Sequence, residues 1–147
     1  MSGRTPTPEQ RAAIDAEGEI LVSASAGSGK TFVMIEKIIA LILSGRAEVP
    51  SVLAVTFTNL AAAEMKERLK KALAVRIGEE ADGAKRRRLK EQLFEVNTSD
   101  ICTLHSFCAN VIRRHFYRIG ADGSFRIAEE AETGKLKKRA LDGLTER

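Results

Sequence analysis

"ILVSASAGSGKTFVM", residues 20–34, joins two apolar runs through a short turn that is rich in glycine. Gly27 and Gly29 allow the backbone to fold tightly, so that several N–H groups point into one concavity. The helix expected after this turn adds the positive end of its dipole at the same place. Lys30 and Thr31 follow directly, and the whole stretch is typical of a loop that binds the phosphates of a nucleotide. The alternative is a glycine turn followed by an ordinary surface lysine.

Two side chains of this loop have predicted roles in phosphate chemistry. Lys30 is expected to reach the β and γ phosphates, and the Thr31 hydroxyl is expected to ligate Mg²⁺. The general pattern has glycine at the position of Ala24. Because the Cβ of Ala24 disfavours a positive φ, the loop should leave the preceding strand in a β-type conformation.

Strands and helices alternate along the chain, which predicts an α/β fold with a parallel sheet flanked by helices. The predicted strands are 19–25, 51–58 and 99–105, and the predicted helices are 8–17, 31–45, 59–78, 84–95 and 106–120, with a polar helix at the end. Asn59 is expected to cap the third helix, whose apolar face is Ala62, Met65, Leu69, Leu73 and Ile77. Right-handed crossovers bring the carboxyl ends of parallel strands to one edge, where ligands bind. Residues 25–31, 56–59 and 103–106 are expected at that edge.

Composition and charge exclude few classes of protein. The chain has 147 residues and no apolar run near the roughly 20 residues that cross a bilayer. Its N-terminus lacks an apolar secretory core, so a cytoplasmic location is expected. Residues 1–50 carry 5 basic and 6 acidic side chains, and residues 51–147 carry 19 and 14. A basic half suits an anionic polymer, although "AKRRRLKEQ" (84–92) is better explained as a solvated helix face.

Cys102 and Cys108 are expected to stay reduced, as in a cytosolic chain. With His105 between them, they form a set of three potential metal ligands, but no second cluster supplies a fourth. We therefore expect no metal there and interpret Cys102, Leu104 and Cys108 as packing residues.

Four ordered segments resemble the motifs of UvrD/Rep-type superfamily 1 DNA helicases. They are "TPEQRAAI" (7–14), "ASAGSGKT" (24–31), "LAVTFTNLAAAEMKERL" (53–69) and "ICTLHSFCANVIRRH" (101–115). The sequences of the last two segments most resemble those of the AddA and RecB type, the helicase–nuclease subunits. The resemblance implies part of a RecA-like P-loop NTPase domain, with ATP and Mg²⁺ as cofactors and Lys30 and Thr31 as catalytic residues. The expected nucleotide contacts are Gln10, Ser25, Ala26, Gly27, Ser28, Gly29, Lys30, Thr31 and Phe32.

The resemblance also implies contacts with single-stranded DNA at the strand ends. Phe57 can stack on a base, which contributes roughly 1–3 kcal/mol. The polar residues beside it can bond phosphate oxygens. The expected DNA contacts are Thr56, Phe57, Thr58, Asn59, Thr103, His105 and Ser106. Core packing for Phe57 and a structural role for His105 are the alternatives.

Two departures from the family pattern limit what the chain can do alone. Many members have lysine where Leu60 stands, and an apolar strand ending in Asp-Glu, which completes the Mg²⁺ shell, is missing from the sequence. We expect a truncated motor: residues 1–120 begin the first motor domain, and 121–147 begin an inserted accessory domain. The intact protein would be an ATP-dependent 3′–5′ DNA helicase of recombination and repair, and its candidate partner is a second helicase–nuclease subunit. The alternatives are a nucleotide- and DNA-binding module that does not hydrolyse ATP and, more distantly, another P-loop kinase or NTPase.

Overall fold

The computed structural model describes residues 5–120 and 122–145, which form an α/β chain with six α-helices and a two-stranded sheet. The helices are α1 (Pro8–Asp15), α2 (Lys30–Leu43), α3 (Asn59–Glu79), α4 (Gly83–Glu95), α5 (Leu104–His115) and α6 (Glu130–Thr145), and the strands are β1 (Leu53–Thr56) and β2 (Asp100–Thr103). Short 3₁₀ helices occupy Val49–Ser51 and Phe116–Arg118. The chain divides into two compact units, Met1–Phe107 and Cys108–Arg147. The boundary predicted at residue 120 stays a prediction.

Strands β1 and β2 pair in parallel, as the alternation of strands and helices predicts. Leu53 lies opposite Asp100, and Thr56 lies opposite Thr103. Because both strands end on this last pair, their carboxyl ends lie side by side at one edge of the sheet. The segments that follow β1 and β2 therefore start as neighbours.

The strand predicted at residues 19–25 is wrong: this segment is not part of the sheet. A strand exists only where a neighbouring backbone accepts and donates its hydrogen bonds. Ile20 and Val22 instead line a cavity of about 310 Å³ together with Leu53 and Val55 of β1. Residues 19–25 thus have the apolar sequence of a strand, but no strand in the described part of the chain is hydrogen-bonded to them.

The core of the first unit lies between α2, α3, α4 and the sheet. The predicted face of α3 is confirmed: Ala62, Met65, Leu69 and Leu73 are buried, and Ile77 packs partly buried against the core. Helix α2 contributes Ile35, Ile38, Ile39 and Ile42.

Helix α2 is apolar along most of its length but is not buried on every side. It packs against α1 and α3, whereas Met34 and Leu43 remain about half exposed. Gly45 follows the C-cap Ser44 with a φ of 74°, so that the Arg46 N–H donates to the Leu41 carbonyl at 3.0 Å. Glycine is favoured there because side chains rarely adopt this φ.

Lys37 fastens α1 to α2. Its ammonium donates to the Ile14 carbonyl at 2.7 Å and also to the Ala16 carbonyl. These are acceptors at the end of α1, where helix geometry leaves carbonyls without partners in the helix. No helix among the described residues is long and apolar enough to cross a membrane.

We expect Leu73→Ala to destabilise the first unit strongly, because Leu73 is 0% exposed in the core. Truncating a buried leucine costs about 2–5 kcal/mol of unfolding free energy. Urea denaturation followed by circular dichroism measures this change. The control is Leu60→Ala, at a side chain that is 70% exposed, and its effect should stay within about 0.5 kcal/mol. Equal destabilisation in both variants would contradict the core described above.

The uncovered apolar edge at Ile20, Val22, Leu53 and Val55 should make the chain self-associate or melt at low temperature. Val55→Thr keeps the β propensity of the strand and should reduce the association seen by sedimentation velocity. Val75→Thr on α3 is the control, since Val75 is exposed to a similar degree. A monomer that melts cooperatively above ~60 °C, as sound domains do, would contradict this expectation.

Candidate functional site

The glycine turn bends the backbone through two residues in the left-handed region. Gly27 and Gly29 have φ angles of 78° and 85°. Helix α2 begins directly after Gly29, and no side chain of the described residues caps it. The first N–H groups of a helix have no acceptor within the helix, so this end can receive an anion. Among the described residues only glycines have a positive φ, so Ala24 avoids the left-handed region that its Cβ disfavours. The β-type exit from a preceding strand stays a prediction.

Lys30 folds back over the turn. Its ammonium donates to the Ala24 carbonyl at 2.8 Å and to the Ser25 carbonyl at 2.7 Å. An ammonium has three donors, so one N–H remains for a further acceptor. Thr31, in the first turn of α2, is exposed, and its hydroxyl is accessible beside the same helix end.

Ser28 supplies a separate sign that the turn suits a polar ligand. Its Oγ is buried, and no hydrogen-bond partner for it lies in the described part of the chain. A buried hydroxyl without a partner costs free energy, which a bound acceptor or donor would recover. Together with the uncapped helix end and the accessible Thr31 hydroxyl, this fits a phosphate group with its Mg²⁺.

Gln10 connects α1 to the turn. Its Nε2 donates to the Ser28 carbonyl at 2.9 Å, and its Oε1 accepts from the Thr7 N–H at 3.1 Å. The Thr7 hydroxyl accepts from the Gln10 N–H at 3.3 Å, which completes a capping box. An amide has two donors and two acceptor lone pairs, so Gln10 keeps one of each for an adenine edge.

A cavity of about 590 Å³ lies between α1, residues 20–24 and the turn. Its wall is largely apolar, and its polar lining residues are Thr7, Glu9, Gln10, Ser23, Ser28 and Lys30. Ligand cavities of about 300–1,000 Å³ with few polar groups are usual for small molecules. Glu9 also lines it, and hydrogen bonds from its own backbone N–H and from the Thr7 hydroxyl lower the pKa of its carboxyl.

The strand ends bring the predicted DNA residues together in two neighbouring groups. Phe57 follows β1 and is 102% exposed, so the alternative of core packing is wrong. The Thr58 hydroxyl accepts from the Ala61 N–H at 3.1 Å and caps α3. Asn59 is therefore the first helical residue and not the cap that its sequence position suggests. Thr58 takes the extended conformation that a cap requires.

Thr103 performs the same task for α5. Its hydroxyl accepts from the Ser106 N–H at 3.2 Å and donates to the Ser106 Oγ at 2.9 Å. Because this cap starts the helix at Leu104, β2 ends at Thr103 and the strand predicted to residue 105 is shortened. Thr103 is buried, whereas His105 is exposed at the start of α5.

The cysteine segment shows no arrangement for metal binding. Among the described residues, no group of three metal-ligating side chains comes together. Cys102 is half-buried, and burial, with help from the charge of Asp100, raises the pKa of its thiol. Leu104 and Cys108 are exposed, so their interpretation as packing residues is wrong.

Sequence reasoning missed the link from Thr7 through Gln10 to Ser28. The signal was present, because Thr7-Pro8-Glu9-Gln10 has the spacing of a capping box. It also missed the carbonyls of Ala24 and Ser25 as partners of Lys30, which no side-chain pattern reveals. The described residues place all the predicted nucleotide contacts in or beside one turn. Their roles in binding stay predictions.

Comparison with known proteins is consistent with this arrangement. A family profile described as UvrD/REP helicase N-terminal domain matches residues 6–147. The chain is 47% identical over 141 residues to an ATP-dependent helicase/nuclease subunit from Alkaliphilus oremlandii, covering 95% of the chain and 12% of that relative. A protein of the same name from Lactobacillus acidophilus is 47% identical over 137 residues, covering 92% and 11%. The resemblance to the family and to its helicase–nuclease branch is thereby confirmed.

Gln10→Ala should loosen the turn, because it removes the bond to Ser28 and half of the capping box. Each such hydrogen bond contributes about 0.5–1.5 kcal/mol. We expect faster hydrogen exchange at the amides of residues 28–31 in native conditions. Arg11→Ala is the control, since the neighbouring Arg11 is exposed and makes no side-chain bond within the described residues. Unchanged exchange in Gln10→Ala would contradict the link.

Proposed function

Since the chain belongs to the UvrD/REP helicase N-terminal domain family, we propose that it supplies the ATP site and part of the DNA site of a DNA helicase. This helicase translocates 3′ to 5′ on single-stranded DNA in recombination and repair. The chain spans about 12% of the length of the relatives it matches. The activity of the whole protein is therefore part of the proposal.

The observation that carries the proposal is the turn itself. Two glycines with positive φ precede an uncapped helix, and a lysine folds over the same turn. In a RecA-like P-loop NTPase, this is the arrangement that holds phosphates. The cavity between α1 and the turn is large enough for a nucleoside beside them.

In this proposal, each residue of the turn has a definite task. The N–H groups at the start of α2 bind phosphate oxygens, and Lys30 exchanges carbonyl acceptors for the β and γ phosphates. The Thr31 hydroxyl holds Mg²⁺, which neutralises phosphate charge. Ser25, Ala26, Gly27, Ser28, Gly29 and Phe32 shape the wall around them. Gln10 reads the adenine edge with its remaining donor and acceptor.

DNA binds at the adjoining strand ends. The exposed ring of Phe57 stacks on a base without preference for sequence. The starts of α3 and α5 adjoin each other, and helix N-termini favour phosphate. The proposed DNA contacts around these two helix starts are Thr56, Thr58, Asn59, Thr103, His105 and Ser106. Thr58 and Thr103 act mainly by holding the helix starts in place, because their hydroxyls are used as caps.

A second candidate is a binding module that does not hydrolyse ATP. The sequence favours it for these 147 residues taken alone, since no apolar strand ends in Asp-Glu. That pair would complete the Mg²⁺ shell and polarise the attacking water. In the intact helicase, a further part of the protein supplies these carboxylates. The relatives are named as subunits of a helicase/nuclease, so we further propose that a second helicase–nuclease subunit is the partner. We also propose a cytoplasmic location, as expected for a helicase that acts in DNA repair.

Lys30→Ala should weaken binding of ATP·Mg²⁺ by about 10- to 100-fold, because a hydrogen bond to a charged group contributes about 1.5–3 kcal/mol. Titration of a fluorescent ATP analogue measures this. Lys138→Ala removes the same charge from an exposed position on α6 and is the control.

ATP turnover with and without oligo-dT then separates the two candidates. Binding that depends on Lys30 without turnover supports the binding module for the chain alone. Turnover that DNA stimulates and Lys30→Ala abolishes shows that a carboxylate of this chain completes the site. Binding that is equal in Lys30→Ala and the unchanged chain would overturn the ATP site.

A further inference from the structure

A groove of about 560 Å³ runs between α3 and α4, away from the glycine turn and the strand ends. We call it the α3–α4 groove. Its lining includes Lys70, Lys71, Lys90, Leu93, Phe94 and Asn97. Lys71 lies twelve residues into α3 from Asn59, which is about 18 Å along the helix axis. The groove is therefore separate from the site at the strand ends.

Phe94 is not used by the core. Its ring is 77% exposed, whereas Leu89 and Val96 on either side of it in sequence are buried. Leu93 packs partly buried against the core and also lines the groove. An exposed aromatic ring on a helix that already has a buried face suits contact with a flat partner.

Basic side chains line the groove beside Phe94. Lys70 pairs with Glu67 at 2.6 Å, and Lys70 and Lys71 together lower the pKa of the Glu67 carboxyl. Lys71 and Lys90 have no ion pair or hydrogen bond with any described residue. The lining contains three lysines and no carboxylate. A fourth lysine, Lys66, donates to the Asn97 carbonyl at 3.0 Å at one end of the groove.

We propose that the α3–α4 groove binds single-stranded nucleic acid, with Phe94 stacked on a base and Lys71 and Lys90 bound to the phosphates beside it. Aromatic rings among basic side chains are the usual platform for single strands. A duplex keeps its base faces stacked internally, so it offers the ring nothing to stack on. A protein partner fits less well, because lysine is depleted in protein–protein interfaces.

Phe94→Trp provides a direct test, since the sequence contains no tryptophan. Titration of this variant with a short oligo-dT should quench the indole fluorescence, because a stacked base lies against the ring. Phe94→Leu, which keeps an apolar side chain without a ring, should bind oligo-dT at least about fivefold more weakly, and Phe94→Trp should not. Heparin, a polyanion without bases, should leave the indole fluorescence unchanged.

The lysines are tested by salt dependence. Lys71→Ala with Lys90→Ala should reduce the slope of log affinity against log salt by about 0.7 for each phosphate that no longer pairs with a lysine. Lys137→Ala with Lys138→Ala removes the same charge from exposed positions of α6 and should change the slope less. Phe57→Trp reports separately on the strand ends. If oligo-dT leaves the fluorescence of Phe57→Trp unchanged, the proposed DNA site at the strand ends fails, whereas Phe94→Trp still tests the groove. No quenching in Phe94→Trp, or equal quenching by heparin, would overturn the proposal.

Discussion

The left-handed backbone at Gly27 and Gly29 is the constraint on which the rest of the first unit depends. It turns the chain sharply enough for α2 to start with its N–H groups directed at the turn. Because α2 starts in this direction, its residues Ile35, Ile39 and Ile42 lie in the core against α3. One local conformation thus sets both the anion-binding end of α2 and the packing of its buried face.

Threonine hydroxyls fix the three other helix starts of this unit that carry candidate site residues. Thr7 caps α1 beside Gln10, Thr58 caps α3 beside Phe57, and Thr103 caps α5 beside His105. A cap contributes about 1 kcal/mol and fixes where the helix begins. Each neighbouring side chain therefore projects from a defined position, and the site is held together by short local bonds.

The sequence was sufficient wherever a local rule decides the conformation. The positive φ of the glycines, the buried face of α3 and the parallel pairing of β1 with β2 all follow from residue type and spacing. It failed where the outcome depends on a partner strand or on a choice between two equally suitable residues. Residues 19–25 have the composition of a strand, but a strand needs a partner that composition does not supply. Asn59 and Thr58 are both good caps, and only the backbone angle decides between them.

Helix α1 is held at two points, to the glycine turn through the Gln10 bond to Ser28 and to α2 through Lys37 at the Ile14 and Ala16 carbonyls. A short helix fixed at two separated points cannot rotate independently of the element that holds it. The turn, α1 and α2 are therefore joined by side-chain hydrogen bonds as well as by the backbone. The Ser28 carbonyl is thus linked through Gln10 to Thr7, so the glycine turn and the cap of α1 share one continuous set of hydrogen bonds.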